Sequence, residues 1–133
     1  MKYLPVLAGF VLGALFLMSG LNHFLKFIPM PETTPPPAVA SFMAALMPTG
    51  YMTFIKVLET LGGALVLIPK TRNLGLLVLG PILVNIYAFH IFLTDRSGLK
   101  DWMTLTVGLL ALFLLWVERR AWAVLVTRPP ATL

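Results

Sequence analysis

The sequence predicts an all-α membrane protein: a four-transmembrane-helix bundle with a short interfacial helix between helices one and two. Three observations lead there. Hydrophobic residues make up 59% of the chain and charged residues only 11%, against about 25% charged in an ordinary soluble domain. So few charges cannot cover a water-facing surface, and lipid must be the solvent for much of it. Four apolar runs approach the roughly 20 residues needed to cross a bilayer. They are continuous rather than alternating, and a backbone in lipid must satisfy its own polar groups, so they read as helices and not as barrel strands.

Helix one is expected at about Leu4–Ile28, helix two at Tyr51–Ile68, helix three at Leu74–Leu93 and helix four at Trp102–Val117. The second and fourth are short and lean on interfacial Tyr51, Trp102 and Trp116. The start, Met1-Lys2-Tyr3 followed by apolar residues, resembles a secretory signal. Its run continues to Leu21 with no Ala-x-Ala site after it, so it reads as an uncleaved first helix. Pro69-Lys70-Thr71-Arg72-Asn73 is a tight basic turn that makes helices two and three antiparallel neighbours. Thr94–Asp101 is a second short polar turn. The longer connection Pro29–Gly50 contains Pro35-Pro36-Pro37, and then Val39, Phe42, Met43, Leu46 and Met47 at helical spacing. Pro37 suits a first helical turn, and Pro48 with Gly50 ends it. This segment, about 38–47, is expected to lie in the interface and cap one end of the bundle. The 133 residues make one domain, without internal repeat.

The net charge of +5 does not mark a nucleic-acid binder, because the basic residues sit in short connections beside apolar runs, where they meet lipid headgroups. Their asymmetry sets orientation. Lys2, Lys70, Arg72, Arg119, Arg120 and Arg128 fall on one side; Arg96, Lys100 and Lys26 fall on the other. Both termini are therefore expected in the cytoplasm, with the proline-rich segment outward, on the periplasmic side in a bacterium. The absence of cysteine excludes disulfides, thiol catalysis, iron–sulfur ligation and covalent haem attachment.

An ionisable residue inside a span is costly and is by default a functional candidate. Helix one carries Asn22, His23 and Lys26; helix two carries Lys56, Glu59 and Thr60; helix three carries Asn85 and His90. At about 1.5 Å per residue, Glu59 and Asn85 fall near the midplane and the others in the outer half. Asn22, His23, Lys26, Lys56, Glu59, Asn85 and His90 are the candidate polar pocket. Lys56 and Glu59, three residues apart on one face, either neutralise each other or share a pocket in which Glu59 meets His23, Lys26 or His90. His23 and His90 on different helices leave a haem reading open, although histidines near helix ends more often serve as interfacial hydrogen-bonding residues. No metal site is expected. Gly9 with Gly13, and Gly62-Gly63, read as close helix packing within the chain, and Pro81 as a kink in helix three. Neither a Gly-rich phosphate loop, a His-Glu-x-x-His nor a serine elbow is present, so nothing requires an enzyme.

Ser19-Gly20-Leu21-Asn22-His23-Phe24, closing helix one, resembles the helix-one ending of the DoxX family of small bacterial membrane proteins. Glu59-Thr60-Leu61-Gly62-Gly63-Ala64-Leu65 is similar to that family's second-helix mark, and Pro81 to Phe92 to its third helix. The resemblance covers nearly the whole chain. It implies a four-helix bundle in the inner membrane and a link to redox or quinone systems. Without cysteine the chain cannot perform dithiol chemistry itself.

Three classes of function follow. The first is an accessory or structural subunit, possessing a membrane or periplasmic protein partner, of a redox or quinone-linked system. The second is a binder or transporter of a small apolar molecule, a quinone or lipid, in the outer-half polar pocket. The third is a cofactor-bearing oxidoreductase subunit.

Overall fold

The structure is a computed structural model and describes residues 3–27, 34–94, 96, 99 and 101–127. These residues form helices α1 (Tyr3–Leu25), α2 (Pro37–Leu46), α3 (Tyr51–Leu67), α4 (Arg72–Leu93), α5 (Trp102–Val117) and α6 (Arg119–Val126), with a 3-10 turn at Pro69–Thr71 before α4. No strand occurs among them. The protein has two ends, the Lys70 end, where α1 and α4 begin, and the α2 end.

Helix ends follow local chemistry. α1 stops three residues before the expected Ile28, which lies outside the described residues, because Lys26 takes a left-handed backbone with φ 52°. A left-handed residue cannot continue a right-handed helix. α2 begins on Pro37 after an extended Pro36. Gly50 adopts φ 79°, open to glycine without strain, and turns the chain into α3. Thr49 Oγ donates to the carbonyls of Ala45 and Leu46 at 3.0 and 3.2 Å, closing the end of α2. At the far end of α4, the Arg96 amide donates back to His90 O at 2.9 Å from a residue at φ 69°. α5 has the expected limits. α6 was not expected: Glu118 breaks the helix, and Arg119–Val126 forms a further short one. Lys2, Lys100 and Arg128, three of the residues used for orientation, lie outside the described residues.

Two helical segments, Tyr3–Leu25 and Pro69–Leu93, are long and apolar enough to cross a membrane, each with mean hydropathy 2.1. α2 and α3 also pass that test as a pair, but they meet at 85°. α3 has 17 residues and α5 has 16, about 25 Å of helix each against a hydrocarbon core of about 30 Å. The protein is thus all-helical and built to associate with a membrane. Its surface agrees: Phe10, Phe54, Leu61, Leu77, Val84, Leu109 and Leu112 are exposed on the long helices, a distribution that marks a membrane-facing or partner-facing surface.

α3 is the centre of the packing. It meets α1 most extensively and α4 next, while α1 also meets α5, and α4 touches α5. Glycines set these approaches. A Cβ on Gly63 would lie 2.6 Å from Leu17 N and 2.8 Å from Gly13 O, and one on Gly75 would lie 2.8 Å from Gly62 O. Backbone thus lies on backbone between α1 and α3 and between α3 and α4, the arrangement small residues permit. Both glycine pairs pack within the chain. Around these contacts Leu12, Phe16, Val66, Leu79 and Leu114 form the core.

Pro81 is accommodated without interrupting α4. Further along α4, the Tyr87 hydroxyl donates to Thr104 O of α5 and packs over Gly108. Tyr87→Phe should therefore loosen the α4–α5 contact by about 1 kcal/mol, read as a small fall in thermal midpoint in detergent.

Candidate functional site: a polar cavity at the α2 end

The site begins with an approach of α1 to α3. A Cβ on Gly20 would lie 2.9 Å from Thr60 N and 3.0 Å from Lys56 O, so only glycine lets the helices meet here. Thr60 keeps its hydroxyl on its own helix, donating to Lys56 O at 2.8 Å. The close approach puts Ser19 against the polar turn of α3. Lys56 Nζ lies 3.0 Å from Glu59 Oε2 and 3.3 Å from Ser19 Oγ. Ser19 Oγ donates to the same Glu59 oxygen at 3.3 Å. Glu59 is 5% exposed. A lone carboxylate so buried is costly, and the ammonium and the hydroxyl offset that.

Both bonds fall on Oε2. Oε1 accepts none from a described residue, and Glu59 borders a cavity of about 220 Å³ between α1, α3, α4 and α5. Ser19, His90, Asp101 and Thr104 supply its other polar side chains, and Phe16, Ile86 and Val107 part of its apolar wall. His90 Nδ1 is buried and has no partner among the described residues. The cavity is thus lined by a paired carboxylate, an imidazole and apolar side chains, which suits a small molecule with polar groups on an apolar body.

Of the seven residues singled out from the sequence, Glu59 and His90 line this cavity and Lys56 supports Glu59 from behind. The other four lie elsewhere. His23 Nε2 is 3.4 Å from Thr53 Oγ1, in a separate contact between α1 and α3. Lys26 is exposed beyond the end of α1. Asn22 is half-buried at the end of α1 and is not part of the cavity wall. Asn85 is exposed on α4, with its amide donating to Pro81 O at 2.8 Å. The partner of Glu59 from another helix is Ser19, not His23, Lys26 or His90. The two histidines have different surroundings, one on Thr53 and one in the cavity. Among the described residues no group of three or more His, Cys, Asp or Glu could hold a metal ion.

Ser19, Asp101 and Thr104 were not anticipated. Ser19 carries no charge and drew no attention as an intramembrane group, although it stands one helical turn before His23. Asp101 was read as the end of a short polar turn, and Thr104 fell within helix four without being singled out.

No protein-family profile matches the chain, and no solved structure matches it. It is similar to the uncharacterized protein YwoB of Bacillus subtilis (strain 168), with 39% identity over 74 residues. That similarity takes in 53% of this chain and 44% of YwoB, so the chain spans less than half the length of this curated relative.

Proposed function

We propose that the chain is a four-span, DoxX-like protein of the bacterial inner membrane that binds a small amphipathic molecule in the cavity beside Glu59. The carrying observation is the free side of Glu59: its Oε2 is held by Lys56 and Ser19, and the carboxylate borders a cavity that His90 also lines. A cavity of about 220 Å³ accepts a single ring, since an engineered void of about 150 Å³ holds benzene. A quinol headgroup, an apolar ring whose hydroxyls can donate to the Glu59 carboxylate, is the ligand class of best fit. Ser19, Gly20 and Glu59, which help to build the site, and Ile86 and His90, which line it, fall within the stretches Ser19–Phe24, Glu59–Leu65 and Pro81–Phe92 that carry the family resemblance. Extracting purified protein with organic solvent and recording its absorption spectrum tests this reading. A quinone or other small amphipathic molecule near one per chain is expected; an empty extract, with thermal stability unmoved by added quinone, rejects it.

In this reading α3 and α5 cross as short spans beside α1 and α4, α2 lies along the surface, and both termini are cytoplasmic. The chain lacks cysteine, so single cysteines report cleanly. On intact cells a cysteine at Thr34 should react with an impermeant thiol reagent and one at the exposed Lys70 should not; the opposite pattern reverses the orientation.

A second reading, an accessory subunit of a redox or quinone-linked complex, is favoured by α6. It ends in exposed Val124, Leu125 and Val126, an apolar edge available to a membrane partner. A partner retained in a mild-detergent pull-down and lost on Leu125→Asp would support it.

A further inference from the structure

The cavity beside Glu59 brings three titratable side chains together at three depths. Glu59 stands eight residues into α3, about 12 Å from its start at the α2 end, and is 5% exposed. His90 is half-buried, three residues before the end of α4 and about 5 Å in. Asp101 is exposed and directly precedes α5. All three border one void of about 220 Å³, so the void runs from the buried carboxylate to the surface at Asp101. A polar void of that size holds several waters. His90 Nδ1, buried and without a partner among the described residues, is a group such a water satisfies. Toward the Lys70 end the bundle changes character. Residues 4–14 of α1, 61–67 of α3, 74–84 of α4 and 108–117 of α5 include no charged or hydroxyl-bearing side chain. Leu12, Val66, Leu79 and Leu114 seal that layer, each 0% exposed. Beyond it lies Arg72, expected in a surface turn but instead the first residue of α4, 6% exposed with its guanidinium over Gly9. A permanent cation there opposes the entry of a proton.

We infer that the cavity is a one-sided proton path, by which Glu59 exchanges its proton with water at the α2 end through His90 and Asp101. Series of acidic and histidine side chains inside membrane proteins carry protons in this way, and imidazole is a ready proton shuttle. The step moves a proton and nothing else. A neutral Glu59 carboxyl becomes a carboxylate, His90 and Asp101 pass the proton outward between waters, and bulk water at the α2 end receives it. Each helix around Glu59 contributes to the two states. Lys56 on its own helix and Ser19 from α1 hold the carboxylate at Oε2. His90 from α4 and Asp101 from α5 share the void with it. For a bound molecule with an ionisable hydroxyl, the path fixes the side of the membrane on which the proton appears. The path needs the cavity but no ligand in it, so it stands or falls apart from the small-molecule reading.

The test uses the full-length, ligand-free protein carrying Thr34→Cys, in vesicles of dioleoylphosphatidylcholine. The probe is the infrared band of the protonated Glu59 carboxyl, identified by its loss in Glu59→Gln. An impermeant thiol reagent on Thr34→Cys counts the chains whose α2 end faces outward. After a jump in external pH, the rapid part of the band change should equal that fraction. Asp101→Asn should slow the rapid change several-fold, and Asp101→Asn with His90→Gln by about tenfold or more. Imidazole added to the double variant in detergent should restore much of the rate, which a merely structural defect would not allow. His23→Gln, at the same end but outside the cavity, should leave the rate unchanged. Should the double variant not fold, Asp101→Asn alone carries the test. A rapid change in every chain, whatever its orientation, would overturn the one-sided path. Unchanged rates in the Asp101 and His90 variants, or no Glu59 band at any pH, would overturn the path itself.

Discussion

Replacing Gly63 by leucine should leave little folded protein. A Cβ at Gly63 would sit 2.6 Å from Leu17 N and 2.8 Å from Gly13 O. Those atoms are backbone, so no rotamer change relieves the contact; α1 and α3 must part. Overpacking a core costs about 1–3 kcal/mol even where side chains can adjust. Gly63→Ala should therefore cost at least that, and Gly63→Leu more than a small membrane domain tolerates. Gly80 gives the matched control. It also sits inside a helix, and a Cβ there meets nothing within 4 Å. Gly80→Ala should be neutral or stabilising by roughly 0.5–1 kcal/mol, the usual helical gain. Thermal midpoints and the monodisperse fraction in detergent check both. Similar behaviour of Gly63→Ala and Gly80→Ala would refute the backbone-on-backbone packing of α1 and α3.

The second large effect falls on Glu59. Glu59→Leu removes the acceptor of Lys56 and leaves a half-buried ammonium with, among the described residues, only Ser19 beside it. Breaking a buried pair from one side costs about 3–5 kcal/mol, whereas replacing both partners with apolar residues is often nearly neutral. The double variant Lys56→Met with Glu59→Leu should thus recover most of the stability lost by Glu59→Leu alone, a coupling that a double-mutant cycle reads directly. It should not recover ligand binding, because the carboxylate that borders the cavity is gone. Additive stability losses would show that the pair is not the unit drawn here.

These effects also mark what the sequence could disclose. Segment positions were legible because lipid demands long apolar runs, and α5 falls within the limits read from its run. The 38–47 helix was legible from its two proline stops. Helix one was drawn too long because nothing in Lys26 announces a left-handed backbone. Arg72 was misplaced because arginine beside a basic turn reads as surface charge, and only the nearness of Gly9 in three dimensions makes room for it. The polar site was half legible. Glu59, Lys56 and His90 stand out as intramembrane charges, but which helix meets Glu59 depends on rotation about the helix axis. Gly20 decides that rotation: it brings Ser19 to the carboxylate and leaves His23 on Thr53. Asn85 looked central by depth, yet depth says nothing of azimuth, and it faces outward on α4.

The central claim, a small-molecule cavity organised by Glu59, is tested most directly by occupancy at matched stability. The wild-type protein, the Lys56→Met/Glu59→Leu double variant and Arg72→Gln would be purified alike, and their bound small molecules extracted and counted by mass spectrometry. The wild type and Arg72→Gln should each carry about one amphipathic, quinone-class molecule per chain, and the folded double variant should carry none. The same molecule retained in the double variant at wild-type occupancy, or none in the wild type, would contradict it.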